Sequence, residues 1–257
     1  MTKIFKSTIY IIVASFLLLM LGFNFYILEH KLILCKKIII NFSNNIIKTY
    51  NNDYSQIFSK IYSSNVWGKG SGIGSDPKNA KPYLKLLQQY VNDDRFHTIV
   101  DLGCGDWQIM QHINIPDNKI YQGYDVVNSV QQANLNKFAK PNIQFYVIQN
   151  LADFKRKQVY GDLLIIKDVL QHWPNKEINY FFKHILPNFK YALITNSITP
   201  DLPSPEALIN SDIYLGQFRP IRLMESPFNW ENVSILLEYP SPAPGSKQVL
   251  FYKNPKN

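Results

Sequence analysis

The chain has 257 residues, is 46% hydrophobic and carries a formal charge of +8. That length accommodates one ordinary α/β domain plus an extension, and that apolar content excludes a disordered chain. Two cysteines, Cys35 and Cys104, are too few and too unlike in context to suggest a disulfide framework or a zinc site, and they fit a reducing compartment. Residues 1–60 hold seven basic side chains against Glu29 and Asp53, so +5 of the charge lies there. The remaining body is nearly balanced, which argues against a large nucleic-acid footprint; no nucleic acid and no metal are expected as partners.

From Ser7 to Leu28 there is no charged residue and no polar face. About 20 such residues cross a bilayer as a helix. A retained anchor over 1–31 is the expected reading. A cleaved signal peptide would end on small residues, which Gly22-Phe23-Asn24 does not supply, and a buried soluble helix is the third alternative. Lys3 and Lys6 on one side nearly match Lys31, Lys36 and Lys37 on the other, so charge alone leaves the orientation open. A connector over 32–63 follows, in which Tyr50, Tyr54, Ile57, Phe58 and Ile61 recur at helical spacing. This amphipathic helix would pack on the body, lie on the membrane or cover the site.

The body, 64–257, alternates helix and strand. The pattern predicts a helix over 81–91, strands at 98–102 and 120–124, a short helix from Asp106, a helix over 127–138, and strands at 143–148 and 163–167. A helix over 176–185 and a strand at 191–195 come next. Strands at 233–237 and 248–252, joined by Pro240-Ser-Pro-Ala-Pro-Gly245, make a closing antiparallel hairpin. Such alternation means a parallel sheet covered on both faces.

The first strand runs into Asp101-Leu-Gly-Cys-Gly-Asp-Trp-Gln108, and the second ends on Asp125. Two glycines behind a strand and an acid ending the next describe a nucleoside-binding crevice, with the second acid on a ribose. A dinucleotide fold would place a third glycine at the position held by Gln108. The two-glycine form, Asp125 and the late hairpin instead resemble the class I S-adenosylmethionine (SAM)-dependent methyltransferases, over about Ser64 to Lys253. Together with Gly70-Ser-Gly-Ile-Gly-Ser75, Gly123-Tyr-Asp-Val-Val127, Lys167-Asp-Val-Leu-Gln-His172, Ala192-Leu-Ile-Thr-Asn196, Phe218-Arg-Pro220 and Ser226-Pro-Phe228, the pattern looks like a group of small methyltransferases.

The resemblance implies a Rossmann-like seven-stranded sheet, SAM as cofactor and methyl transfer to an acceptor that is a protein, lipid or small molecule. An inactive SAM- or partner-binding module is the first rival reading, an NAD-dependent oxidoreductase the second. If the body uses a cytosolic metabolite, it faces the cytosol from a single-pass anchor. Backbone amides after Gly103 and Gly105, at the opening of a helix, would receive the methionine carboxylate while Asp101 orders the amino group. Asp106 either touches the cofactor or caps that helix, and Trp107 touches it or packs in the wall.

Asp125 would accept from both ribose hydroxyls, and Tyr124 would stack on adenine or pack beneath it. Where many methyltransferases carry an adenine-reading acid, this chain has Asn150, next to Leu151, with Asp153 as fallback. Lys167 would face the cofactor or pair with a carboxylate. A base is optional in displacement at a sulfonium; Asp168 and His172 are the candidates. The glycines at 68, 70, 72 and 74, with Ser71 and Ser75, form a lid or a linker. Asn196, Arg219, Arg222 and Phe228 should border the acceptor pocket, although the group resembled implies an acid at Arg222.

Overall fold

A computed structural model describes residues 53–199, 208–241 and 245–256. The anchor expected over 1–31 and most of the 32–63 connector lie outside the described residues. Among those described, no helix is long and apolar enough to cross a membrane.

Seven strands form one sheet: β1 Thr98–Leu102, β2 Ile120–Asp125, β3 Ile143–Val147, β4 Gly161–Lys167, β5 Phe189–Ser197, β6 Val233–Ser241 and β7 Gly245–Lys253. Their spatial order is β3-β2-β1-β4-β5-β7-β6. The first five are mutually parallel, and β7 runs antiparallel to both β5 and β6. The chain builds outward from β1 through β2 to β3, then returns to the other side of β1. That reversal leaves a crevice at the carboxyl ends of β1 and β4, where loops leave in opposite directions.

Alternation along the central strands feeds two cores. Val100, Leu102, Leu164, Ile166, Ala192 and Ile194 face one, and Ile99, Leu163, Ile165 and Leu193 face the other. Burial on both faces explains why β4 reads as the unbroken apolar run Leu163 to Ile166. The helices are α1 Tyr54–Ser63, α2 Lys81–Asn92, α3 Asn128–Phe138, α4 Leu151–Arg156 and α5 Asn175–His184. On α2, Tyr83, Leu87 and Val91 recur every four residues and are fully buried in the second core. Ile178 and Phe181 of α5 fill the first.

α1, in the connector expected over 32–63, belongs to the same compact unit as the sheet, Asp53–Asn257. Asp53 caps it by accepting from the Gln56 amide. Tyr54, Phe58 and Ile61 share a face and are buried, and the Tyr54 hydroxyl donates to Glu177 of α5 at 2.6 Å.

Three expectations need correction. No helix opens at Asp106: Trp107 takes a left-handed φ of 62°, which breaks the helical path, and only a short 3-10 turn forms at Met110–His112. α4 was not expected; it starts because the Asn150 side chain accepts from the Asp153 amide. The hairpin strands extend into the expected loop and take in Pro240, which β6 tolerates because it is the sheet edge.

Phe181 has no exposed surface. Phe181→Ala should lower stability by about 3–5 kcal/mol, measured by urea denaturation. A loss below ~1 kcal/mol would mean that α5 does not carry the first core.

Candidate functional site

A cavity of about 340 Å³ opens at the carboxyl ends of β1, β2 and β4, within the range of about 300–1,000 Å³ for small-molecule pockets. Ten of the expected site residues line it. In strand order these are Asn150 and Leu151 after β3, Asp125 at the end of β2, Asp101, Gly103, Gly105 and Asp106 at β1, and Lys167, Asp168 and His172 at β4.

The turn after β1 is closed onto β2. Gly103 and Cys104 donate to the Tyr124 carbonyl at 2.7 and 3.1 Å, and Gly105 donates to Asp125 Oδ2 at 3.0 Å. The Asp106 amide goes to Ser71 Oγ. These amides are therefore committed within the protein, and with no helix behind them they do not form the expected carboxylate receptor. Gly103 has φ 78°, and a Cβ there would overlap the Val169 side chain, so this glycine admits the β4 loop rather than a ligand. On α3, two buried amides support the turn: Asn134 donates to the Gly105 carbonyl at 2.7 Å and Gln131 to the Tyr146 carbonyl at 3.0 Å.

Asp101 accepts from the Tyr121 hydroxyl at 2.7 Å through Oδ2. Burial pushes its carboxyl up to about 7, against the pull of that hydrogen bond, and Asp125 adds to the rise. Asp125 is also raised by burial, with hydrogen bonds from Val127 and Gly105 opposing it. Each Asp125 oxygen takes one backbone donor, leaving one lone pair apiece for a ligand.

The glycine-rich segment before α2 is a strap across this edge. At one end Ser71 Oγ donates to Asp106 Oδ1 at 2.6 Å and its amide to Oδ2 at 3.2 Å. Gln108 donates to the same carboxylate, and the Tyr62 hydroxyl lies 2.8 Å from Ser71 Oγ. Gly70 has φ 60°, and a Cβ there would overlap Asp106 Oδ2. At the other end the Gly74 carbonyl accepts from Lys167 Nζ at 3.0 Å. Asp106 thus latches the strap instead of capping a helix.

At β4, Asp168 is clamped between Lys167 at 2.5 Å and Lys247 of β7 at 2.6 Å. Although burial opposes ionisation, the two ammoniums hold its carboxyl at about 2, so it is a poor proton acceptor. Burial lowers Lys167 from its ordinary value. His172 Nδ1 lies 3.0 Å from the Gln217 carbonyl, which accepts only, so Nδ1 carries the hydrogen and Nε2 keeps a lone pair. Burial brings the imidazole down to about 4, hence neutral at neutral pH. Gln171 Oε1 accepts from the Ser197 amide, which turns its NH₂ toward His172 Nε2 at 3.5 Å.

Other expectations fall outside the cavity. Tyr124 stacks on Tyr146 at 5.0 Å, away from the lining. Trp107 packs against Phe138, Tyr121 and Phe145. Asp153 is tied to the Gln149 amide and Arg156. Arg219 is buried with its guanidinium on the Leu170 and Ser211 carbonyls and Asn175, and Arg222 bonds the Ile198 carbonyl. Asn196 and Phe228 are buried without lining the cavity. Arg219 and Arg222 brace the loops because a buried polar group without water must find partners.

Sequence reading missed Lys247, Gln171 and Tyr83, which line the cavity from β7, the β4 loop and α2. Tyr83 is fully buried and its hydroxyl has no partner among the described residues. A tyrosine among the apolar positions of α2 was the available signal.

A seven-stranded sheet of this order, with its last strand inserted antiparallel beside β5, is the fold of the class I SAM-dependent methyltransferases. The methyltransferase domain of bacterial CtHen1 is 12% identical, with 67% of this chain and 98% of that one covered and a TM-score of 0.50. The small RNA methyltransferase HEN1 is 17% identical over 69% of this chain at a TM-score of 0.50, and this chain spans only 25% of its length. The N-terminal domain of EvdMO1, solved in the presence of S-adenosylhomocysteine and D-fucose, is 10% identical, covering 68% of this chain and 83% of that one at 0.50. At these identities the likeness is one of fold. No family model matches the sequence, and no curated protein matches it.

Asp106→Ala should release one end of the strap. Amide hydrogen exchange across residues 68–75 is expected to quicken about tenfold or more, with little change in β1. Unchanged exchange would show that Asp106 does not hold it.

Proposed function

We propose that this protein transfers a methyl group from SAM to an acceptor. The observation that carries the reading is the set of groups around the switch-point cavity: four carboxylates, Asp101, Asp106, Asp125 and Asp168, against the ammoniums of Lys167 and Lys247. SAM has a formal charge of +1, so an acidic cavity suits it.

The residues fit the cofactor piece by piece. Asp125 has lone pairs left for the ribose hydroxyls. Val126, Ile148 and Leu151 offer an apolar slot for adenine, where Asn150 Nδ2 is a free donor because its Oδ1 caps α4. Asp101 Oδ1 would hold the amino group. The unpartnered Tyr83 hydroxyl, with the Lys167 ammonium over its ring at 5.6 Å, would hold the carboxylate that the turn amides do not receive. When bound, SAM supplies a carbon already activated for displacement, so the protein's task is alignment and exclusion of water. The strap and α1 cover the edge where that is needed. An NAD-dependent reading is disfavoured because a pyrophosphate wants free amides at this turn.

The uncharged stretch from Ser7 to Leu28 supports a single-pass anchor, and use of cytosolic SAM would put the body on the cytosolic side. Full-length protein should stay with membranes on alkaline carbonate extraction, and a chain beginning at residue 32 should not. Release of the full-length chain would remove the anchor from the proposal.

Calorimetric titration of the full chain should give micromolar SAM binding, none in Asp125→Ala, and no NAD response. Tyr83→Phe should weaken SAM roughly tenfold while leaving methylthioadenosine, which lacks the amino-acid end, unchanged. With Asp101 raised to about 7, it is ionised above that pH and must lose a proton to receive the ligand ammonium below it. SAM affinity should therefore fall by roughly tenfold per unit below pH 7, and Asp101→Asn should flatten the slope. Absence of SAM binding in the intact protein sinks the proposal. Binding without any turnover of labelled SAM in cell extract, lipid fraction included, would make it a module.

A further inference from the structure

Beyond the carboxylates, the same cavity has an aromatic wall. Tyr54, Phe58 and Tyr62 of α1 and Trp67 after it meet Trp173 and Phe218 around the His172 ring. Trp67 lies 4.8 Å from the imidazole, tilted by 35°, and Phe218 lies 5.9 Å from it. Phe58 and Tyr62 back Trp67 at 6.0 and 5.7 Å, and Tyr54 meets Trp173 at 6.5 Å. Phe218 is 43% exposed, which places it at the mouth.

Few polar atoms on this wall remain available. The Tyr54 hydroxyl is engaged with Glu177, that of Tyr62 with Ser71, and His172 Nδ1 with Gln217. What is left is His172 Nε2, whose one lone pair meets only the Gln171 NH₂ at 3.5 Å, a long contact that an acceptor hydroxyl would replace. The nearby cations are committed: Lys167 and Lys247 to Asp168, and Arg219 to carbonyls and Asn175. A phosphate or carboxylate would lack a counter-charge here and lose its hydration without recompense. An ammonium would suit aromatic faces but has no lone pair with which to attack a methyl group.

Resting on the methyltransferase reading, we propose that this chamber takes an uncharged, flat acceptor bearing a phenol-like hydroxyl, and that His172 Nε2 receives the hydroxyl proton. The acceptor oxygen forms the new bond to the methyl carbon while the carbon–sulfur bond breaks with its electron pair going to sulfur. The sulfonium becomes a neutral thioether, and the positive charge passes to the imidazolium, which later gives its proton to water. Asp168 faces this imidazole as an anion and favours its protonation; Lys247 and Arg219 oppose it. Trp67 and Phe218 set the selection for a flat molecule by flanking the ring that accepts the proton.

The test is calorimetry on the full chain without any methyl donor, using naphthol, naphthoate and naphthalene as probes. Naphthol should bind, with naphthoate and naphthalene each weaker by about tenfold or more. Trp67→Ala and Phe218→Ala should each weaken naphthol by about tenfold while SAM affinity stays within twofold. His172→Phe should bring naphthol down to the affinity of naphthalene, and His172→Gln, which keeps a polar side chain should the phenylalanine variant not fold, should lower the rate of naphthol methylation by about 100-fold or more. Naphthoate binding as well as naphthol, unchanged binding in Trp67→Ala, or no naphthol binding in a protein that binds SAM overturns the inference. Naphthol binding in a protein that fails to bind SAM would leave the chamber standing and remove the transferase.

Discussion

The Tyr124 carbonyl at the end of β2 accepts from Gly103 and Cys104, and the Asp125 carboxylate beside it accepts from Gly105, so the turn after β1 is sewn to the neighbouring strand rather than opened toward the cavity. Much of the site depends on that closure. It fixes Asp125 at the floor with each oxygen half used, and it removes the backbone amides from ligand recognition. The work passes to side chains brought in from elsewhere: Tyr83 from α2, Lys167 from β4 and Lys247 from β7.

The electrostatics follow the same division. Asp101 and Asp168 sit at the ends of strands one position apart in the sheet, yet burial drives the first up to about 7 and two ammoniums hold the second near 2. The contrast comes mainly from neighbours, because both carboxyls are largely enclosed while only Asp168 has two ammoniums against it. Asp168 takes a left-handed φ of 58° to reach both lysines, a conformation that a non-glycine residue adopts at a cost of about 1–2 kcal/mol. Two short charge-assisted hydrogen bonds offset it. A carboxylate so committed orients Lys167 and Lys247 and does not carry protons, which leaves that task to His172.

Strand positions, the hairpin and the switch-point crevice were legible because they rest on local signals: period-two apolarity, the glycine pair, and Asp125 at a strand end. What was not legible depends on side chains meeting from distant parts of the chain. The clamp on Asp168 needs Lys247, 79 residues away, and nothing near Lys247 marks it as different from other lysines of a hairpin. Arg219 and Arg222 were expected at the pocket because they lie in and beside the Phe218-Arg-Pro220 motif of the group resembled, yet their guanidiniums satisfy loop carbonyls. The helix expected at Asp106 failed for a comparable reason: Ser71, 35 residues earlier, competes for that amide and carboxylate. Gln131 and Asn134 sit on a helix of little amphipathic character, where pattern gave no cue to their burial beneath the turn.

Ser71 also joins the turn after β1 to the acceptor wall by a chain of contacts. Its hydroxyl bonds Asp106 on one side and lies 2.8 Å from Tyr62 of α1 on the other, and Tyr62 packs edge-on against Trp67, which covers His172. One contiguous path thus runs from the turn after β1, through the strap and α1, to the His172 ring. Residues that touch along such a path share partners, so effects of substitutions at neighbouring positions in it are not additive. α1 therefore does more than fill the first core with Tyr54, Phe58 and Ile61. By closing the strap at its carboxyl end and supplying aromatic faces to the cavity, it makes the enclosure that a water-excluding group transfer requires.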